Sequence, residues 1–294
     1  MNKNGWIIYN GQLTGTKFLD FAKWLQSAAS KQGIKTTIYK NSELFSYLGD
    51  NKLTIIGERL LPDFVIFTDK DIYLAKQLEL LGIRVFNCAK TIEISDNKIA
   101  TYQILAQHHL PIPKTIIAPK RFPGSGDLEL DNFQQVIDEF GFPMILKEAY
   151  GSFGEQVYLV HTKAEMVAKI KEIDDKPFVF QELITTSYGK DMRLHVVGDE
   201  VVAAMTRHAS DDFRANVTAG GTMQAYQPAE REKEIAVAAT KAIGADFAGV
   251  DLLFGPDNNP IICEINSNAH IRNMYNCTNI DVADYIISYI KNTF

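Results

Sequence analysis

The stretch GVDLLFGPDNNPIICEIN, residues 249–266, decides how the rest of the chain is read. Two aliphatic runs, 248–254 and 261–266, flank a segment rich in Gly, Pro, Asp and Asn, which is the pattern of a β-hairpin. Alternate side chains of a strand share a face, so Glu264 and Asn266 point the same way. With the loop centred on Asp257 and Asn258, Asp251 falls opposite Glu264, and directly opposed residues have Cβ atoms roughly 5 Å apart. Two carboxylates this close, among Ala248, Val250, Leu252, Ile261 and Ile262, repel one another unless a cation lies between them. A donor set made only of oxygens (Asp, Glu and the Asn amide) suits Mg²⁺ or Mn²⁺ rather than Zn²⁺. The competing reading turns one of the two carboxylates to solvent.

The same arithmetic applies upstream. Strands at 193–197 and 201–207 flank Gly198-Asp199-Glu200, and a turn centred near Glu200 places Arg193 opposite Arg207. Like charges directly opposed are unfavourable, and the natural partner of guanidinium forks is phosphate or carboxylate. Arg214 and Asn216 follow in the polar loop DDFRANVTAGG. The alternative has an arginine facing solvent, or pairing with Asp191, Asp211 or Asp212. Lys147 lies in an apolar strand just before Gly151-Ser152-Phe153-Gly154. A lysine there reaches over a phosphate that the loop covers with backbone N–H groups, although a plain hairpin turn accounts for the glycines equally well. No GxxxxGK[ST] occurs, so this is not a P-loop. Lys98, after Ser95, is a second lysine of the same kind.

Ahead of these motifs, the first 90 residues alternate strand and helix patterns. Strands are expected at 6–9, 36–39, 64–67 and 83–86, and helices at 18–30 and 72–81. Phe18, Phe21, Ala22 and Leu25 form one stripe of the first helix. This rhythm predicts a small parallel sheet covered by helices. There is no GxGxxG after the first strand, which removes a dinucleotide-binding oxidoreductase. From about Thr91, Ser95 or Asp96 is expected to cap a helix running to Ala106. Strands at 115–118, 144–148, 157–160 and 178–181 and helices at 133–140 and 164–173 complete a middle section. A helix at 229–243 and an amphipathic helix at 281–291 belong to the last. The division is therefore 1–90, 91–182 and 183–294, an α/β chain of three lobes, in keeping with 294 residues exceeding one compact core.

Composition removes other classes. The hydrophobic fraction is 46% and the charged fraction 22%, as in soluble globular proteins. Thirty Lys plus Arg against 36 Asp plus Glu leave a net charge of -6, with no general attraction for nucleic acid or anionic lipid. Cys88, Cys263 and Cys277 form no CxxC pair, so neither a zinc cage nor a disulfide framework is expected. No signal-peptide pattern or membrane-spanning run is present, and a cytoplasmic location is expected. Trp6 and Trp24 read as core residues and Cys263 as sheet packing. His108, His109, His195, His208 and His270 have no ligand spacing and stay unassigned.

Placed in order, ISDNKIATYQILAQHHLPIPKT, FPMILKEAYGSFGEQVYLV, FVFQELI, GKDMRLHVVGDEVVAAMTR, FRANVTAGG, AGVDLLF and IICEINSN resemble the ATP-grasp superfamily, and within it the RimK-like amino-acid ligases, over about residues 91–294. The resemblance implies a small N-terminal parallel α/β domain followed by two lobes with antiparallel sheets that sandwich ATP. It implies Lys98 and Lys147 on the nucleotide phosphates, with Lys147 also at the adenine edge. It implies Gly151, Ser152 and Gly154 closing over the phosphates, Gln181, Glu182 and Leu183 along the adenine slot, and Asp191 on the ribose. Arg214 and Asn216 would sit near the γ-phosphate, and Arg193 and Arg207 near phosphate or a substrate carboxylate. Asp251, Glu264 and Asn266 would hold two Mg²⁺ or Mn²⁺ ions. The implied activity joins a carboxylic acid to an amine through an acyl-phosphate, adding an amino acid such as glutamate to a peptide, protein or small-molecule acceptor. A dipeptide or peptide-tailoring ligase, or a synapsin-like module that binds ATP without turnover, are the alternatives. Assembly as dimers or tetramers is common in the family. Where relatives carry a small residue, Pro and Gly after the metal-binding Asn, this chain has Ser267-Asn268-Ala269-His270, which leaves the substrate open.

Overall fold

The computed structural model describes residues 3–57, 60–122, 124, 130–151, 154–215 and 221–294. Ser152 and Asn216 lie outside them. The chain opens with β1 (Asn4–Tyr9), α1 (Lys17–Lys31) and β2 (Lys35–Lys40). A hairpin of β3 (Ser46–Gly49) and β4 (Lys52–Ile55) follows, then β5 (Phe64–Phe67), α2 (Ile72–Leu80) and β6 (Arg84–Phe86). Four strands pair in parallel in the order β2-β1-β5-β6. The chain thus leaves β1 on one side and returns on the other, so the strand order reverses between β1 and β5. Every residue of β5 is buried, as expected for a parallel strand with both faces covered. The β3–β4 hairpin was not anticipated. Its signal is Asp50-Asn51, both with positive φ, a dipeptide suited to the tight turns that favour hairpins.

The helix expected from Ser95 or Asp96 to Ala106 is α4 (Lys98–Gln107), capped by Asn97 instead, and an unanticipated helix, α3 (Ala89–Asp96), precedes it. Asn97 breaks them apart. Its backbone is extended and its Oδ1 accepts from the Ile99 and Ala100 N–H groups at 3.0 and 3.3 Å. Asn caps a helix as well as Ser or Asp does, and Ser95 Oγ is spent on Ser267 Oγ at 2.8 Å.

The second sheet is antiparallel, with β7 (Thr115–Ile117), β8 (Met144–Glu148), β9 (Val157–Val160) and β10 (Phe178–Glu182) in the order β7-β10-β8-β9. Helices α5 (Gln134–Phe140) and α6 (Lys163–Ile173) cover one face through Val136, Met166 and Ile170 against Met144, Leu146, Phe178 and Phe180. By alternation, Lys147, Val179 and Gln181 face the other way, and Val179 joins the core of the third sheet.

That third sheet has five strands, β11 (Lys190–Val197), β12 (Glu200–His208), β13 (Thr222–Ala225), β14 (Phe247–Phe254) and β15 (Pro260–Asn266), in the order β13-β12-β11-β14-β15. Helix α7 (Glu230–Ala242) covers one face through Ile235, Ala236 and Ala239 against Leu194, Val250, Leu252 and Ile262. The unanticipated α8 (Arg272–Thr278) and the expected α9 (Val282–Asn292) close the chain. Ile286, Ile287 and Ile290 of α9 pack with Phe21, Leu25 and Ala28 of α1, so the two ends of the chain share one core.

Asn87 joins the first and third sheets. It is fully buried, and its Nδ2 donates to the carbonyls of Phe247 at 2.8 Å and Ser267 at 3.0 Å. Its Oδ1 accepts from the Asp246 N–H at 2.6 Å and the Phe247 N–H at 3.3 Å. One amide therefore satisfies backbone groups at the start of β14 and just past β15. Asn87→Ala strands all of them in a dry place, and the predicted loss is about 3 kcal/mol of unfolding free energy, read from urea denaturation monitored by tryptophan fluorescence.

Candidate active site

The face of the third sheet turned away from α7 carries a row of buried charges. Arg193 lies opposite Asp251 on β14 and opposite Met205 on β12, while Arg207 lies opposite Asp191. This corrects the expected Arg193–Arg207 pairing. The ladder starts at Val197↔Glu200, so the turn centres on Gly198-Asp199 rather than near Glu200, and the one-residue bulge between His195 and Val196 leaves Arg193 opposite Met205. The structure therefore places opposite charges side by side, as the alternative involving Asp191 anticipated. Arg193 Nε and Nη2 donate to Asp251 Oδ1 and Oδ2, each at 2.6 Å. Arg207 Nε and Nη2 donate to Asp191 at 2.7 and 2.6 Å, and Nη2 also reaches Asp251 Oδ2 at 2.9 Å. Burial of Asp251 works against its charge, yet the Arg193 and Arg207 guanidiniums hold its carboxyl below the usual range, at about 2.

Asp251 does face Glu264 across the β14–β15 pair, and Asn266 faces Gly249. Leu252 pairs with Ile262, so Cys263 is the extra residue of a second bulge rather than a member of the regular ladder. The fit of a hard cation rests on two observations. Among the described residues the Glu264 carboxylate receives no hydrogen bond, and Asn266 Nδ2 is an enclosed amide atom without a partner. Nitrogen and oxygen of an amide exchange places by a half-turn, so Asn266 can present its oxygen there. With Asp251 these residues form an oxygen-only set, and Asp251 already has both oxygens engaged by arginine. The donors fit Mg²⁺ or Mn²⁺, with Glu264 and Asn266 the open ligands.

The expected nucleotide residues gather beside this row. Lys147 is buried, its Nζ donating to Tyr102 Oη at 3.2 Å and lying 3.7 Å from Cys263 Sγ. Tyr102 Oη in turn donates to the Cys263 carbonyl at 2.7 Å. Lys98 Nζ donates to the Gly151 carbonyl at 3.2 Å. Burial lowers the Lys98 pKa, the Glu264 carboxylate opposes that shift, and the Lys147 ammonium adds to it. These three groups therefore share one electrostatic environment. Arg214 is paired with Asp212 and donates through Nη1 to the Gly154 carbonyl at 2.5 Å. Gln181 Nε2 donates to Thr115 Oγ1 at 2.8 Å, and the Glu182 carboxylate accepts from the Lys114 N–H at 2.7 Å. Leu183, half-buried, follows at the end of β10. The expectations for Ser152 and Asn216 fall outside the described residues.

Two members of the site were not assigned from sequence. Tyr102 ties Lys147 to β15, and no pattern marks it. His195 stands two residues from Arg193 on the same face and lies across Gly249 from Asn266. It is 3% exposed, and its Nε2 has no partner among the described residues. Period-two counting from Arg193 would have found it. Burial, then the Arg193 charge, pushes its pKa down to about 3, so the ring is neutral near pH 7. A cavity of about 970 Å³, lined by residues including Ala204, Tyr226 and Val237, contains none of these side chains.

With the fold and the charged face established, the comparisons with known proteins are decisive. Residues 95–290 match the model of the RimK-like ATP-grasp domain. The chain belongs to the RimK-like ATP-grasp family. Its class is that of ATP-dependent carbon–nitrogen ligases. An uncharacterized protein of Mycoplasma pneumoniae is 31% identical over 282 residues, covering 94% of this chain and 96% of that one. N-acetylaspartylglutamate synthase A of Homo sapiens is 32% identical over 241 residues, which is 79% of this chain but only 59% of the human protein. The solved ATP-grasp ligase PsnB, complexed with a phosphomimetic variant of its minimal precursor, Mg and ADP, superposes with a TM-score of 0.71. At 18% identity, over 100% of this chain and 99% of that one, this likeness concerns the fold alone. Among the described residues no helix is long and apolar enough to cross a membrane.

The neutral, buried His195 generates a prediction. Its pKa is about 3 in the fold and about 6.5 in the unfolded chain. Between those values the unfolded state binds the extra proton, so stability falls as pH drops through that window and is unaffected above it. His195→Asn is predicted to reduce proton uptake on unfolding by about one at pH near 5, measured as the pH slope of urea stability. An unchanged slope would mean that the folded ring is already protonated.

Proposed function

We propose that this ligase activates a substrate carboxylate with ATP as an acyl-phosphate, couples it to an amine, and releases ADP and phosphate. The amine is proposed to be that of an amino acid such as glutamate, joined to a peptide, protein or small-molecule acceptor in the cytoplasm. Support for glutamate comes from the human relative, whose name contains that residue. The lobes are proposed to divide at 1–90, 91–182 and 183–294.

The observation that carries the reading is one sheet face with an open, oxygen-only set (Glu264 and Asn266 beside Asp251) next to four cationic side chains, Arg193, Arg207, Lys98 and Lys147. Such a face accepts a polyphosphate and a divalent cation together. Glu264 and Asn266, with Asp251, would hold Mg²⁺, which would neutralise the charge that develops in transfer. The carboxylate oxygen attacks the γ-phosphorus, the bond to ADP breaks, and an amine then attacks the acyl carbon. Phosphate leaves from that carbon and the amine loses its proton.

Lys98 and Lys147 are assigned to the nucleotide phosphates, and Gln181, Glu182 and Leu183 to the adenine slot. Gly151, Ser152 and Gly154 are proposed to close over the phosphates, and Asn216 to sit near the γ-phosphate. Arg214, Arg193 and Arg207 stabilise charge on the transferred group and on the tetrahedral oxyanion. Asp191, joined to Arg207 through both oxygens, is assigned to the ribose.

The test is an amino-acid-dependent ATPase screen with Mg²⁺ that resolves ADP plus phosphate from AMP plus pyrophosphate. ADP should form only with a particular acid and amine, and Glu264→Ala should lower the rate at least a hundredfold. AMP formation would contradict the acyl-phosphate route. Tight ATP binding without turnover across the panel would favour the synapsin-like module.

A further inference from the structure

Unpartnered polar atoms also gather at a second place, where the first sheet meets the end of β15. The first sheet reverses its strand order between β1 and β5, and in open parallel sheets ligands lie in the crevice outside the carboxyl ends of the strands at such a point. Asn10 follows β1 and Asp69 follows β5 by two residues. Asp69 is 6% exposed. Its Oδ1 accepts from Asn10 Nδ2 at 3.0 Å, while Oδ2 is enclosed with no hydrogen-bond partner among the described residues.

Asn268 approaches from the other side. Its Nδ2 donates to the Asp69 main-chain carbonyl at 2.7 Å, and because only nitrogen can donate there, the amide orientation is fixed. Asn268 Oδ1 is also enclosed and without a partner among the described residues. Two unmet buried acceptors in one cluster are exceptional in folded proteins and ask for a donor. The segment that brings Asn268 here is seated by Gly249, since a Cβ at that position would come within 2.4 Å of Ala269 Cβ. It is fastened by Ser267 Oγ to Ser95 and begins directly after Asn266. One short run of chain thus links the proposed cation site to Asp69.

We propose that Asp69 Oδ2 and Asn268 Oδ1 form a subsite for the primary ammonium group of an amino-acid substrate. Both atoms accept and neither donates, one of them belongs to a carboxylate, and a compact ammonium supplies three donors with the complementary charge. Resting on the ligase reading, the assignment gives the departure at 267–270 a role in substrate choice. The ammonium belongs either to the attacking amine before it loses its proton or to the α-carbon of the acid that is activated.

The test titrates the full-length protein, saturated with Mg²⁺ and AMP-PNP, with L-amino acids, each beside its N-acetylated and des-amino counterparts. Heat of binding is the readout. At least one amino acid should bind and its two counterparts should not. Asp69→Asn should weaken that amino acid about tenfold or more while AMP-PNP affinity stays unchanged. Asn268→Ala, which keeps the Asp69–Asn10 contact, should weaken it in the same direction and serves if Asp69→Asn does not fold. Phosphate release with the amino acid alone identifies it as the activated acid, whereas release only with a second carboxylate identifies it as the amine.

Binding of no amino acid, equal binding of the N-acetylated form, or unchanged affinity in both variants would overturn the subsite. Turnover with an unaltered amino-acid KM in both variants would remove the subsite and leave the ligase standing. Selective ammonium binding without turnover would do the reverse.

Discussion

The site depends on one constraint, which is that three buried charges, Asp191, Arg207 and Asp251, and the half-buried Arg193 must neutralise one another on a single sheet face. Asp191, Arg207, Asp251 and Arg193 alternate in sign and share five hydrogen bonds of 2.6 to 2.9 Å. Taking such groups out of water is costly, and a buried pair that loses one partner leaves an uncompensated charge. The row is thus held as a unit. Its consequence is an asymmetry between two carboxylates that face each other across strands. Asp251 has its charge offset by two guanidiniums, while Glu264 keeps its own field for Lys98 and for a cation.

The glycine loop is tied into the same arrangement. Lys98 holds the carbonyl of Gly151 and Arg214 holds the carbonyl of Gly154, so both described ends of the loop are fastened by cations proposed to meet phosphate. An anion that draws either cation away draws it from a loop carbonyl.

Much of this was legible in the sequence, and the reasons differ by element. A continuous apolar run found β5 to the residue, and periodicity placed α1 and α9 within a residue at each end, because each helix buries a clean stripe. The Asp251–Glu264 pairing came out as expected because the ladder next to the turn centres on Asp257 alone, one position short of the assumed register, and the extra residue Cys263, between the turn and that pair, restores it. The Arg193–Arg207 pairing was not, because the turn centres on Gly198-Asp199 rather than near Glu200, and the bulge between His195 and Val196 shifts the partners by only one position towards the expected register. Asn87, Tyr102 and Asp69 act over long sequence separations, so nothing near them in the chain announces their partners. The motif resemblance carried the family and the roles; the strand arithmetic alone left solvent-facing carboxylates and arginine–aspartate pairs open, and the latter is what the fold contains.

The central claim is that a carboxylate oxygen of the substrate becomes an oxygen of the released phosphate. The direct measurement supplies the acid with ¹⁸O in its carboxylate, together with ATP, Mg²⁺ and the amine, and weighs the phosphate by mass spectrometry. One ¹⁸O per phosphate, matched to amide formed, is the result expected of an acyl-phosphate. Unlabelled phosphate accompanying amide formation would contradict the account.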